Sequence, residues 1–270
     1  MDLSQIRMVV TDMDGTLLNP NHRVSDLFFE LFEQLQKRGI HFVAASGRQY
    51  HSMVSKLHPI KEDVIFIAEN GALTKVKDRI LDTCPLPKTA IKNILQAVAH
   101  VPGAHPVLCC SEKAYANDLS PDFVTLLKEY YTQVQVVPDQ HTVADDVLKI
   151  AIYHGEDSEK FIYPSVRHLE SSLMVKVSGL HWVDVSHPKA HKGHALQKVM
   201  ATHKIESHQL MVFGDFNNDL EMLALAEYSF AMANAHPQVK KVAKYQTSGN
   251  DDFGVEKILK RLIDQHSPSS

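Results

Sequence analysis

Residues 9–17 read Val9-Val10-Thr11-Asp12-Met13-Asp14-Gly15-Thr16-Leu17 and overlap the short apolar run Arg7–Asp12 (RMVVTD). A run this short, closed by polar residues and a glycine, predicts a buried strand that opens into a loop. Along an extended segment, residues i and i+2 face the same side, so Asp12 and Asp14 can converge on one point. Open α/β sheets bind their ligands at that place, beyond the carboxyl end of a strand, and Gly15 lets the chain turn there. Two neighbouring carboxylates repel unless a cation or a proton intervenes, and hard divalent ions prefer oxygen donors of this kind. Taken alone, the pair fits a solvated acidic turn equally well.

The pattern on either side of this stretch gives the fold class. Leu27, Phe28, Leu31, Phe32 and Leu35 fall on one face at helical spacing, with Ser25 as N-cap and Gly39 as the stop. His41–Ser46 and Val64–Ala68 read as further strands, with a loop and helix over Gly47–Leu57 between them. Strand, helix, strand, helix, strand is the order of a parallel sheet wound with crossover helices. The rhythm then changes. Helices are expected over Thr89–His100, Phe123–Tyr131 and Glu159–Ser171, and strands near Val107–Cys110, Gln133–Val137 and Leu148–Tyr153. Met174–Val177 and His181–Val185 flank Ser178-Gly179 as a hairpin. From His191 the βα alternation resumes, with a strand at Leu210–Phe213, a helix over Asp219–Glu227 and two short helices after Met232. We therefore expect an α/β protein with a Rossmann-like parallel-sheet core, residues 1–83 and 189–270, interrupted by an inserted α+β domain at 84–188.

Composition excludes several classes. The 270 residues carry 28 Lys+Arg against 32 Asp+Glu, a net charge of −4, so no surplus of basic charge points to nucleic acid. No apolar run approaches the ~18 residues that span a bilayer. The N-terminus, MDLSQIRMVVTDMDGT, reaches its acidic pair within one short apolar stretch, unlike a signal peptide. Three cysteines, Cys84, Cys109 and Cys110, make no disulfide framework and suit a reducing cytoplasm.

A second acidic cluster, Gly214-Asp215-Phe216-Asn217-Asn218-Asp219, again follows an apolar strand. Asp and Asn are also ordinary residues for a helix N-terminus. If the two strands are neighbours, Asp215 meets Asp12 and the site gains another carboxylate for a metal. Asp12-Met13-Asp14-Gly15-Thr16-Leu17, Ser46-Gly47-Arg48, Lys192-Gly193 and Gly214-Asp215-x-x-Asn218-Asp219 occur in the order of the four motifs of the haloacid dehalogenase (HAD) superfamily. The spacing resembles its Cof-type branch, which carries a large α+β cap (C2 type) between the second and third motifs, and Ala68-Glu69-Asn70-Gly71-Ala72 is similar to that branch's segment before the cap.

The resemblance implies a phosphate monoester hydrolase dependent on Mg²⁺. Asp12 would be the nucleophile that forms an aspartyl-phosphate, and Asp14 the general acid and base, a role that calls for a raised pKa. The metal would be held by Asp12, the Asp14 carbonyl and Asp215. Phosphate would be bound by the Met13 segment, Ser46, Gly47, Lys192 and Asn218, while Asp219 would hold the metal's waters or orient Lys192. Arg48, Glu69 and Asn70 are weaker candidates for the substrate cleft. His187, His191 and His194 surround Lys192 with spacing that could suit a transition metal, although solvent-facing imidazoles are the commoner case.

The implied substrate is a small phosphorylated metabolite, with sugar phosphates first and flavin mononucleotide or pyridoxal phosphate close behind. A sugar phosphomutase and a non-catalytic phosphometabolite-binding regulator are the alternatives. Neither nucleic acid, membrane nor an obligate protein partner is implied.

Overall fold

Met8, Val9, Val10 and Thr11 are all buried, as a strand covered on both faces requires. In this computed structural model, which describes residues 2–77, 79–117, 120–131 and 133–266 (129 and 130 by backbone only), they form β1 (Met8–Thr11). The chain continues through α1 (Asp26–Lys37), β2 (His41–Ala45), α2 (Tyr50–Lys56), β3 (Val64–Ala68), β4 (Leu73–Val76) and β5 (Arg79–Thr83). Next come α3 (Lys88–Val98), β6 (Ala104–Cys110), β7 (Ala114–Ala116), α4 (Pro121–Tyr130), β8 (Val134–Val136) and β9 (Val147–His154). α5 (Ser158–Phe161), α6 (Tyr163–Val166), β10 (Met174–Gly179) and β11 (Trp182–Ser186) complete the insertion. The remainder is α7 (Lys192–His203), β12 (Leu210–Gly214), α8 (Leu220–Leu225), β13 (Tyr228–Ala231), α9 (Pro237–Val242), β14 (Tyr245–Gln246) and α10 (Gly254–Gln265).

Two compact units result: Met1–Asp82 with His191–Ser270, and Thr83–Ala190. In the first, the described residues form an eight-stranded sheet in the order β14-β13-β12-β1-β2-β3-β4-β5. β1 runs parallel to both neighbours, with Thr11 opposite Phe213 on β12 and Ala44 on β2. Strand order reverses about β1, so the crevice beyond the ends of β1 and β12 is where such a sheet offers a site. Ser25 caps α1 as expected, its Oγ accepting from the Phe28 amide at 3.1 Å. Phe28, Leu31, Phe32 and Leu35 turn inward, whereas Leu27, expected on the same face, is 41% exposed. Gly39 follows the helix with φ 67°, the left-handed conformation that ends helices.

In the second unit the described residues form a six-stranded sheet, β10-β11-β9-β6-β7-β8, with a core on each face. Ile94, Leu95 and Val98 of α3 pack with Leu108, Val147 and Ile150, while Phe123 and Leu127 of α4 pack with Val107, Cys109 and Ala151. The single helix expected over Glu159–Ser171 is broken into α5, α6 and a 3-10 turn at Arg167–Ser171. Pro164 explains the break, because it has no amide hydrogen to continue the ladder. Of the two short helices expected near the C-terminus, α9 has 6 residues, but α10 has 12. Cys84, Cys109 and Cys110 are buried, and none of them is in a disulfide. Among the described residues, no helix is long and apolar enough to cross a membrane.

Candidate active site

The Asp12 amide donates to the Phe213 carbonyl at 3.1 Å, extending the β1–β12 ladder one residue into the loop. Asp215, just past the end of β12, therefore arrives beside Asp12. The loop between Asp12 and Leu18 folds back on itself: the Leu18 amide reaches the Met13 carbonyl at 2.8 Å, with the Met13 side chain wholly buried. Gly15 has φ 78°, and a Cβ there would run into the Asp215 carboxylate, so this turn needs glycine on both counts. Thr16 Oγ1 donates to Asp215 Oδ1 at 2.9 Å and ties the two loops together. Asn234 Nδ2 donates to the Gly15 carbonyl and Asn250 Nδ2 to that of Leu18, each at 2.8 Å.

Lys192, in the first turn of α7, is 0% exposed. Its Nζ lies 2.5 Å from Asp12 Oδ1 and 2.7 Å from Asp219 Oδ1. The other Asp219 oxygen accepts from the amides of Asp215, at 2.9 Å, and Phe216, at 3.1 Å. Two motif glycines make these contacts possible. A Cβ on Gly214 would strike the Asp219 side chain, and one on Gly193 would meet the Glu221 backbone carbon at 2.9 Å, prising α7 from α8.

Asp12, Asp215 and Asp219 each offer an oxygen within 4.8 Å of the others, against one ammonium. Burial, opposed by Lys192 and reinforced by the other two carboxylates, pushes the Asp12 carboxyl well above its usual range. Burial likewise lifts Asp215 to about 6 against the Thr16 hydrogen bond, with the Asp219 charge adding to the rise. For Lys192, burial opposes the charge, but Asp12 and Asp219 outweigh it and hold the ammonium above its ordinary value. This surplus of negative charge on hard oxygen donors suits a divalent cation such as Mg²⁺. Both Asp219 oxygens are already engaged, which leaves Asp12 and Asp215 as the side-chain donors.

Asp14 departs from expectation. Its carboxylate lies outside that cluster, 41% exposed, and both oxygens are taken by Arg48: Nε to Oδ2 and Nη2 to Oδ1, each at 2.6 Å. Burial raises the Asp14 carboxyl, but the Arg48 hydrogen bonds and charge, helped by His22 at 3.5 Å, outweigh it and leave Asp14 below its ordinary value. The raised pKa expected for a general acid is thus corrected: a bidentate guanidinium stabilises the ionised form.

The second motif forms a neighbouring group. Ser46 is buried, and its Oγ accepts from the Arg48 amide at 3.1 Å, a local turn. A Cβ on Gly47 would press on the Asn70 amide at 3.1 Å. Asn218 Nδ2 donates to Asn70 Oδ1 at 3.0 Å, and the Asn70 amide to the Ser46 carbonyl at 3.0 Å, so Ser46, Gly47, Asn70 and Asn218 are interlocked. Glu69 is buried, its amide donating to the Arg48 carbonyl, and Glu69, Asn70 and Gly71 all have positive φ (51°, 54° and 99°). The histidines make no metal trio among the described residues. His191 Nδ1 accepts from the His194 amide at 3.2 Å as the N-cap of α7, and His187 Nδ1 lies 3.2 Å from Cys84 Sγ.

Sequence reasoning passed over Thr16, His22, Asn234 and Asn250. Thr16 lies inside the first motif and was within its reach. His22 and the two asparagines are set apart from any motif, with nothing in their immediate sequence to mark them.

A match to the haloacid dehalogenase-like hydrolases spans residues 9–259. The 5-amino-6-(5-phospho-D-ribitylamino)uracil phosphatase YbjI of Escherichia coli (strain K12) is 27% identical over 266 residues, covering 97% of this chain and 98% of that protein. A crystal structure from Eubacterium rectale superposes with a TM-score of 0.88 at 27% identity, covering 95% of this chain and 99% of its own. One from Streptococcus mutans UA159 does so with a TM-score of 0.82 at 30% identity, covering 96% and 99%.

Proposed function

The chain belongs to the haloacid dehalogenase-like hydrolases and is a phosphatase of that family; we propose that it hydrolyses phosphate monoesters of small metabolites with Mg²⁺, using Asp12 as the nucleophile. The observation that carries this reading is the placement of Asp12 at the end of β1, against the buried Lys192 ammonium and beside Asp215. A carboxylate is a weak nucleophile, so it needs fixed orientation and a neutralised target. Lys192 supplies both, and Asp219 positions Lys192.

An Asp12 oxygen attacks phosphorus in line as the bond to the ester oxygen breaks, giving an aspartyl-phosphate and an alkoxide that takes a proton from Asp14. Asp14 then removes a proton from water, whose oxygen attacks the same phosphorus. The bond to Asp12 breaks, inorganic phosphate leaves and both carboxyls are restored. Because Arg48 holds Asp14 ionised in the state described here, Asp14 acts as acid only after that grip loosens. The Ser46 hydroxyl, the Met13 and Gly47 amides and the Asn218 side chain serve as donors to the phosphoryl oxygens. Asp12, the Asp14 carbonyl and Asp215 would hold Mg²⁺, which when bound neutralises charge on the phosphoryl group.

Sugar phosphates are the favoured substrates. A second reading comes from the E. coli relative, whose named substrate is a phosphorylated ribitylamino-uracil. The test is phosphate release from sugar phosphates, flavin mononucleotide, pyridoxal phosphate and that uracil derivative, with Mg²⁺ and with EDTA, for the wild type and Asp12→Asn. Metal-dependent release that vanishes in the variant supports the reading, and the ranking selects the substrate class. Isomerised sugar phosphate without free phosphate would indicate a mutase, and binding without turnover a regulator.

A further inference from the structure

The inserted unit has a hollow that the phosphatase chemistry does not use. Its volume is about 410 Å³, within the range of small-molecule sites, and it runs between α3 and the segment Gln140–Val147. Leu108, Val147, Val143 and Ile91 give it an apolar lining, with Leu108 and Val147 fully or almost fully buried. Lys88 and Lys92 stand one helical turn apart on its rim, and α3 carries no acidic residue. Neither lysine has an ion pair or side-chain hydrogen bond among the described residues. The neighbouring segment carries three carboxylates, Asp139, Asp145 and the exposed Asp146, and the first two are turned to other partners. Asp139 Oδ1 accepts from the His141 amide at 2.9 Å, and Asp145 Oδ2 from the Tyr115 hydroxyl at 2.6 Å.

Gln140 is 4% exposed and lines both this hollow and a second one of about 290 Å³ farther along α3. Its Nε2 donates to the Pro106 carbonyl at 2.8 Å and to the Tyr115 carbonyl at 3.0 Å, which uses both amide hydrogens and fixes the orientation of the group. What Gln140 has left to offer a ligand is therefore the acceptor Oε1. We propose that the hollow between α3 and Gln140–Val147 binds an organic anion with an apolar body and a hydrogen-bond donor: Lys88 and Lys92 take the charge, Leu108, Val143 and Val147 the body, and Gln140 the donor.

Anilinonaphthalene sulfonate has all three features, and the uncharged phenylnaphthylamine lacks only the sulfonate. We expect the sulfonate to bind the full-length protein saturably at one site, with amide NMR shifts confined to α3, the stretch of β6 around Leu108, and residues 140–147. Phenylnaphthylamine should bind about tenfold more weakly, and so should the sulfonate to Lys88→Glu/Lys92→Glu, while Lys128→Glu on α4 leaves affinity unchanged. Melting curves show whether the charge-reversed protein is folded; if it is not, Lys88→Gln/Lys92→Gln takes its place. Binding that ignores both the lysines and the sulfonate, shifts elsewhere, or no saturable binding would each overturn the assignment. Displacement by inorganic phosphate with Mg²⁺ would do the same, since it would put the probe in the phosphate site. None of these readouts depends on turnover.

Discussion

Arg48 meets Asp14 fork to fork, two nitrogens on two oxygens at 2.6 Å, while its third nitrogen, Nη1, reaches Ser52 Oγ at 3.2 Å. The contact joins the loop after β1 to the loop before α2, and it holds a carboxyl of the first motif toward its ionised form. In Arg48→Met, burial remains and its main opposition is gone, so the Asp14 carboxyl should titrate at higher pH than in the wild type. A carbon-detected NMR titration reads this directly, and equal midpoints would remove Arg48 as the cause. Since the folded value lies below the unfolded one, the contact stabilises at neutral pH and its contribution fades as pH falls through the folded value. With Asp14 partly exposed, the loss at neutral pH should be about 1 kcal/mol or less.

Lys192→Met leaves Asp12 and Asp219 buried without their cation. Breaking a buried pair in this way costs about 3–5 kcal/mol, so urea unfolding near neutral pH should show a deficit of that size. The deficit should shrink toward acidic pH, where the stranded Asp12 carboxyl can take up a proton. A pH-independent loss would mean that packing, not charge, is what Lys192 provides.

Added Mg²⁺ should raise the melting temperature, and more so above pH 6 than below it. Asp215, lifted to about 6, must lose its proton to act as a ligand. Without metal the sign is opposite: a carboxyl raised in the folded state lowers stability as pH climbs from its unfolded to its folded value. At a hundredfold excess over its dissociation constant, the ion should contribute about 2.7 kcal/mol. Calorimetry at pH values on either side of 6, with Asp215→Asn as control, checks both signs.

Gly193→Ala places a methyl group against the Glu221 backbone, where neither helix can yield locally. Overpacking of this kind costs about 1–3 kcal/mol, and the neighbouring Lys192 should shift with its helix. The expected result is lower stability together with a lower kcat on any accepted substrate. Unchanged kcat in the folded fraction would show that Lys192 keeps its place.

These contacts mark how far the sequence could be read. Asp12 and Asp215 were legible because strand-end carboxylates beside glycine form a local pattern; Asp14 was not, since its i, i+2 spacing points it toward Asp12 and Arg48 draws its carboxylate away. Lys192 was legible only through a resemblance, since nothing local separates it from a surface lysine. The Arg48–Asp14 fork was not legible: Arg48 was marked for substrate, and its partner depends on how α2 meets the first loop. Asn234 and Asn250 brace that loop from far along the chain, with no residue near them to signal it. In the insertion, helical periodicity over Glu159–Ser171 masked the break that Pro164 imposes.

Thr16 and Asp215 are 199 residues apart in the chain, and Asp12 and Lys192 are 180 apart. During synthesis on the ribosome, β1 therefore emerges long before β12, one of the two strands that must lie beside it, and the whole insertion is made in between. Loop-closure entropy then has to be overcome across most of the polypeptide before the eight-stranded sheet is complete. A chain that stopped short of β12 would leave Asp12 without both its ammonium partner's anchor, Asp219, and its neighbouring carboxylate. Partly made copies would carry an unfinished sheet edge, open to pairing with other chains, and no assembled centre.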